Sequence, residues 1–286
     1  MARPEPRVEW RMALLHVNCF SQTLGQSVSF DAILPERSQG IGVEGTERTD
    51  AFPVLYLLHG ASDDHTIWQR RTSIERYVAP LGLAVVMPSV ALSFYSNMAY
   101  GFRYFDYVTE ELPRICRDFF PISHRREDTY VAGLSMGGYG ALKVGLALPE
   151  RYAAVGCFSA GNFFAGPAPE GGRGRDPESP MNDVPRLVFG MEGRSLLDLP
   201  ELLGTGHDVF HLAERAIASG ATLPSIFHAC GSEDFLVENA RRTRDFFTGL
   251  DGGPEYEYHE GPGTHSWEFW DEWIPSFLAF VTARRG

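Results

Sequence analysis

The segment Phe52–His59 (FPVLYLLH) is apolar almost throughout, with no alternation of apolar and polar positions. A strand buried on both faces has this pattern, and such strands belong to parallel sheets covered by helices. Leu83–Met87, Thr129–Leu134, Ala153–Ser159, Ser225–Cys230 and Glu255–His259 read as further strands. Between and after them, helical segments are predicted at 66–80, Tyr104–Phe119, 138–148, 207–219, 237–249 and 266–283. Strand and helix alternating in this way predict α/β architecture with right-handed crossovers. Ahead of this series, Met12–Phe20 and Val28–Leu34 flank a turn at Thr23-Leu24-Gly25-Gln26 and predict an antiparallel hairpin. The expectation is one domain over 1–286: a mostly parallel central sheet, an N-terminal antiparallel hairpin, and helices on both faces.

The pattern breaks in four places. Residues 1–9 are polar and Pro-rich and read as a loose tail. Residues 35–51 are rich in Gly, Glu and Arg and read as a surface loop, and 89–102 as an aromatic and polar loop. Residues 160–205 begin with crowded Gly and Pro, from Gly161 to Pro180, and read as a lid-like excursion over the mouth of the sheet.

Composition narrows the partners. Of 286 residues, 44% are hydrophobic and 22% charged, as in an ordinary globular protein with ample core. The net charge of −12 disfavours nucleic acid and anionic membrane surfaces, which reward a basic face. Cys19, Cys116, Cys157 and Cys230 are widely spaced, without a C-x-x-C pair, so no thiolate zinc or redox site is expected. The N-terminus has no apolar h-region, and no run is long enough for a membrane span. A cytoplasmic protein is the default expectation; a homo-oligomer is left open.

The strand Thr129–Leu134 runs into Gly133-Leu134-Ser135-Met136-Gly137 and then into a small-residue helical segment. This is the G-x-S-x-G nucleophile elbow in its required strand–turn–helix setting. A serine nucleophile needs a base, and the base an orienting acid. Both should follow later strands, where open α/β sheets place ligands. After the strand at 225–230 comes Gly231-Ser232-Glu233-Asp234; after that at 255–259 comes Gly261-Pro262-Gly263-Thr264-His265. Asp234 is preferred to Glu233 for its shorter reach; it could instead cap the helix near 237. His265 is preferred to His59, His65, His124, His207, His211, His228 and His259, because it alone sits in a Gly/Pro-framed loop after the last strand. His59 is expected to shape the loop after it. His207 and His211, four apart on a presumed helix, could form a metal pair, but no third ligand is placed and a solvated face is the plainer reading. The oxyanion donors are expected to be the backbone N–H groups of Met136 and Ala61. This two-step acyl transfer requires neither metal nor organic cofactor.

Leu57-Leu58-His59-Gly60, Tyr95-Ser96-Asn97-Met98-Ala99-Tyr100-Gly101, Gly133-Leu134-Ser135-Met136-Gly137-Gly138-Tyr139-Gly140-Ala141-Leu142 and Gly263-Thr264-His265-Ser266-Trp267 together resemble the esterase D-type esterases. That family includes S-formylglutathione hydrolases, feruloyl esterase modules, mycolyl transferases and tributyrin-type carboxylesterases. The likeness spans about residues 12–283 and is strongest to the tributyrin esterase group. It implies an α/β-hydrolase fold, Ser135, Asp234 and His265 as a triad, and Ala61 and Met136 as oxyanion donors. The stretch near 161–185 reads as longer than in compact members, which bears on lid shape and substrate size.

The leading expectation is a carboxylesterase for small, short-chain acyl esters, with Gly60, Tyr95, Met98, Tyr100 and Trp267 facing the substrate. Phe94 and Phe102 fit a core patch as well as a lining. Trp267, Trp270 and Trp273 recur every three residues and are expected to pack the last helix. S-formylglutathione hydrolysis is the alternative within the same chemistry. A non-catalytic binding module on the same fold and a peptidase are the remaining readings.

Overall fold

Five short, mostly apolar strands, buried on both faces but for one half-buried end residue, account for the centre of the molecule. The computed structural model describes residues 12–36, 51–165 and 178–285. Its strands are β1 (Met12–Ser21), β2 (Gln26–Pro35), β3 (Val54–Leu58), β4 (Ala84–Pro88), β5 (Thr129–Leu134), β6 (Ala154–Phe158), β7 (Ser225–Gly231) and β8 (Tyr256–Gly261). They form one sheet in the order β1-β2-β4-β3-β5-β6-β7-β8. The hairpin β1–β2 is antiparallel, with His16 opposite Asp31, and β2 joins β4 antiparallel. Every pairing from β4 to β8 is parallel. The predicted α/β class and N-terminal hairpin are therefore present.

The helices are α1 (Ile67–Arg71), α2 (Ile74–Val78), α3 (Tyr104–Asp106), α4 (Leu112–Phe119), α5 (Met136–Ala147), α6 (Val184–Phe189), α7 (Val209–Ala218), α8 (Val237–Gly249) and α9 (Trp267–Ala283). Two apolar clusters result, one on each face of the sheet. One holds Leu142 and Val144 of α5 with Val209 and Leu212 of α7; the other holds Ile74 of α2 with Ile274 and Phe277 of α9.

Several helices depart from expectation. The helix at 66–80 is two, because Thr72 turns to an extended conformation. Its hydroxyl donates to the Trp68 carbonyl and accepts from the Ile74 amide, so the side chain replaces helical bonds at the break. The helix at 104–119 contains a π turn, Tyr107–Glu111, just ahead of Pro113, which has no N–H to give. Glu111 on that turn accepts from the Ser21 hydroxyl and the Gln22 and Thr23 amides, which fastens the hairpin turn to the body. α7 starts at Val209, capped by the Asp208 carboxylate, so His207 lies outside the helix that was to hold it with His211.

In the excursion, Gly161–Phe164 are buried in the body rather than lying over it. Asn162 donates to Asp208 at 2.6 Å, and Asn239 donates to the Asn162 carbonyl at 2.6 Å. α6 is held to the loop 89–102 through amides of Ala99 and Tyr100 bonded to carbonyls of Val188 and Leu187, both at 2.9 Å. The Gly/Pro-richest stretch, 166–177, most of the surface loop at 35–51 and the tail at 1–9 lie outside the described residues.

Candidate active site

The turn from β5 to α5 is built by close backbone approach. A Cβ on Gly133 would lie 2.5 Å from the Gly137 carbonyl group, and one on Gly137 2.5 and 2.6 Å from the Leu58 and His59 carbonyl oxygens. Only glycine fits at either position. Ser135 between them has φ 53 and ψ −120, a conformation rare for a side-chain-bearing residue. The half-buried serine is thus raised above the end of β5. The Tyr139 amide makes the first helical bond, to the Ser135 carbonyl at 3.0 Å. The amides of Met136, Gly137 and Gly138 precede it and have no intrahelical acceptor, so the positive end of α5 lies beside Ser135 Oγ.

Asp234 follows β7 and His265 follows β8, neighbouring parallel strands, so their loops meet at the same end of the sheet. His265 Nδ1 lies 3.0 and 2.9 Å from the two Asp234 carboxylate oxygens, and Nε2 lies 3.0 Å from Ser135 Oγ. A carboxylate accepts, so Nδ1–H donates to Asp234 and Nε2 is left to accept the serine proton. Asp234 is 2% exposed, and its Oδ1 also accepts from the Leu236 amide at 2.8 Å. That bond closes a turn ahead of α8, whose first turn has no side-chain cap, so the capping alternative is not realised. Glu233, the rival carboxylate, turns away and accepts from the Gly263 amide at 2.6 Å.

The His265 ring lies between two aromatic rings. Phe235, exposed, has its centroid 4.5 Å away; Trp270, buried, meets it edge-on at 5.0 Å. Trp270 Nε1 donates to Ser159 Oγ at 3.0 Å, which fixes the indole behind the histidine. The tryptophan spacing on α9 signalled packing; it did not signal that one member backs His265. Phe235 carried one cue, an apolar residue in a loop directly after the acid.

The residues expected to face the substrate divide. Trp267 is half-buried and stands edge-on to Trp68 at 5.2 Å and Trp270 at 5.1 Å. Met98 is half-buried and Tyr100 is 63% exposed, both in the loop tied to α6. Tyr95 departs from its expected place: it is fully buried, and its hydroxyl donates to the His59 carbonyl at 2.9 Å. Its ring supports the loop that follows β3 from below. Phe94 is likewise buried, in an aromatic cluster with Tyr139, Phe163 and Phe189, whereas Phe102 is exposed.

That supporting loop starts at Gly60 and Ala61, the second expected oxyanion donor. His59 is buried there; its Nε2 accepts from the Val90 amide at 3.0 Å, so its Nδ1–H donates to the Gly60 carbonyl at 2.7 Å. Burial lowers its pKa to about 4, so it stays neutral and acts as a brace. Among the described residues no group of three His, Cys, Asp or Glu side chains could hold a metal ion. His207 bonds Lys143 instead of pairing with His211.

The chain as a whole is similar to several known proteins. The Esterase family model, described as "Putative esterase", matches residues 21–281. An acetyl esterase of Caldicellulosiruptor saccharolyticus is 31% identical over 273 residues, covering 95% of this chain and 98% of its own. The structure of the substrate-bound fluorophosphonate-binding serine hydrolase F of Staphylococcus aureus superposes with a TM-score of 0.79 at 32% identity, over 95% of this chain and 98% of that one. An S-formylglutathione hydrolase of the same organism gives 0.77 and 32%, over 95% and 99%. The chain belongs to the esterase family and is a carboxylic ester hydrolase of the α/β-hydrolase fold.

Proposed function

We propose that Ser135, His265 and Asp234 carry out two-step acyl transfer on small, short-chain acyl esters. The observation that carries this reading is the continuous hydrogen-bonded line from Ser135 Oγ through both nitrogens of His265 to Asp234. Ser135 Oγ attacks the ester carbonyl carbon while its proton passes to Nε2. Asp234 holds the imidazole in one tautomer and stabilises the imidazolium. The N–H groups of Met136 and Ala61 receive the negative oxygen; one such donor lowers the barrier by about 3 kcal/mol. The bond to the alcohol breaks, and the alcohol leaves with the proton from Nε2. Water then attacks the acyl-enzyme by the reverse route, releasing a carboxylic acid and Ser135.

The likeness to an acetyl esterase supports a small acyl group. The four free cysteines fit a reducing, cytoplasmic location. A fluorophosphonate probe should label the protein and not Ser135→Ala; equal labelling overturns the assignment. The second reading, thioester hydrolysis, is favoured by the likeness to S-formylglutathione hydrolase. Rates on p-nitrophenyl acetate and butyrate against S-formylglutathione separate the two.

A further inference from the structure

Along the nucleophile helix, away from Ser135, lies a cavity of about 320 Å³, lined by residues including Asn97, Phe105, Lys143, His207, Leu212 and Arg215. Lys143, eight residues after Ser135, is only 3% exposed. Its Nζ donates to Ser96 Oγ at 2.6 Å and to His207 Nδ1 at 3.2 Å, and faces the rings of Phe105 and Tyr139 at 5.4 and 5.8 Å. Burial lowers the His207 pKa to about 3, so its Nδ1 is a neutral acceptor. Arg215, from α7, brings a second cation to the same cavity, and no carboxylate is among the described residues that line it. A buried ammonium without a counter-ion either gives up its proton or takes an anion.

We propose that this cavity binds a small organic carboxylate, with its oxygens between Lys143 and Arg215 and a short hydrocarbon chain against Phe105 and Leu212. The apolar walls select this ligand over a fully hydrated anion, which would leave them unused. Short carboxylates are also the product class of the proposed hydrolysis, although the site itself does not rest on that reading.

Burial lowers the Lys143 pKa to about 7. The other titratable side chains facing it keep their charge state near that pH. The Tyr139 phenol is raised by burial and His207 is neutral. Asp208, beyond Tyr139, is committed to Asn162 and the Gly204 and Phe210 amides. Carboxylate binding should therefore weaken as pH rises above neutrality.

The test is equilibrium dialysis with radiolabelled butyrate, using protein whose Ser135 has been phosphonylated so that the catalytic pocket is closed. One butyrate site should persist. Arg215→Gln and Lys143→Gln should each weaken it about fivefold or more, as loss of a charge-assisted hydrogen bond does. Raising the pH from about 6.5 to about 9 should weaken it about tenfold as Lys143 discharges. No binding to the blocked protein, unchanged binding in Arg215→Gln, or tighter binding of inorganic phosphate than of butyrate overturns the proposal. Failure of Ser135 to react counts against acyl transfer alone, because the variants still tell the two cavities apart.

Discussion

Glu233 and Gly263 are bound to each other in both directions. The Gly263 amide donates to the Glu233 carboxylate at 2.6 Å, and the Glu233 amide donates to the Gly263 carbonyl at 3.0 Å. The loop carrying His265 is thereby locked to the loop carrying Asp234. Two adjacent carboxylates divide the work: Glu233 holds the loop and Asp234 holds the imidazole.

Glu233→Ala should therefore lower kcat about three- to tenfold, the size of effect that loss of one hydrogen bond has. KM should change little, because the side chain orients the base and does not meet the substrate. Glu233→Gln, whose amide oxygen still accepts from Gly263, should restore most of the rate. Steady-state kinetics on p-nitrophenyl acetate decide this; an unchanged kcat in the alanine variant refutes it.

Asp234→Asn tests the other carboxylate. The asparagine oxygen can still accept from the Leu236 amide, so the loop should stay in place. An amide that donates toward Nδ1 would favour the tautomer with the proton on Nε2, and that tautomer cannot accept from Ser135. A fall in kcat of about 10⁴ is expected with the melting temperature nearly unchanged. A loss under about tenfold would mean that Asp234 does not set the tautomer.

Gly137→Ala tests the close approach at the elbow. The added methyl meets carbonyl oxygens of Leu58 and His59 at 2.5 and 2.6 Å, and both are backbone atoms of a central strand and its exit. Relief requires α5 to move off β3, so a loss of about 3 kcal/mol or more and of nearly all activity is expected. Gly249→Ala is the control, because a Cβ at the end of α8 meets nothing within 4 Å. It should be neutral or stabilising by up to about 1 kcal/mol. Urea unfolding of both variants measures the contrast.

The sheet was legible because strands buried on both faces carry mostly apolar residues, and the elbow because two glycines and a serine at that spacing stand between a strand pattern and a helix pattern. Asp234 and His265 were legible from their places after β7 and β8. The division of labour with Glu233 was not, since it depends on which carboxylate faces Gly263. Tyr95 was misplaced because an aromatic residue in a polar loop looks the same whether it faces substrate or braces His59 from beneath. The Lys143 cluster left no pattern along the chain. Ser96, Lys143 and His207 come together only when the loop 89–102, α5 and the turn before α7 pack against one another. The break at Thr72 was missed because its cause is a hydroxyl that can bond in either of two ways.

Two buried histidines and one half-buried histidine give the fold a specific sensitivity to acid. Burial holds His59 and His228 at about pKa 4 and His207 at about 3, against 6.5 for the free group. A folded-state value below the unfolded one means that the unfolded chain binds the proton first. Stability is therefore fully present above about pH 6.5 and is lost as pH falls toward 4. Each histidine contributes a slope of up to about 1.4 kcal/mol per pH unit in that window. Carboxylates add their own loss below about pH 5, so the informative quantity is a difference between variants. In His207→Gln the amide oxygen can still accept from Lys143, but the side chain cannot take a proton. The variant should be no more stable than wild type at neutral pH, yet its stability should fall less steeply between about pH 6 and pH 4.5, by about 1 kcal/mol per unit. Urea unfolding at a series of pH values gives both slopes, and parallel curves would show that His207 is already protonated in the folded protein.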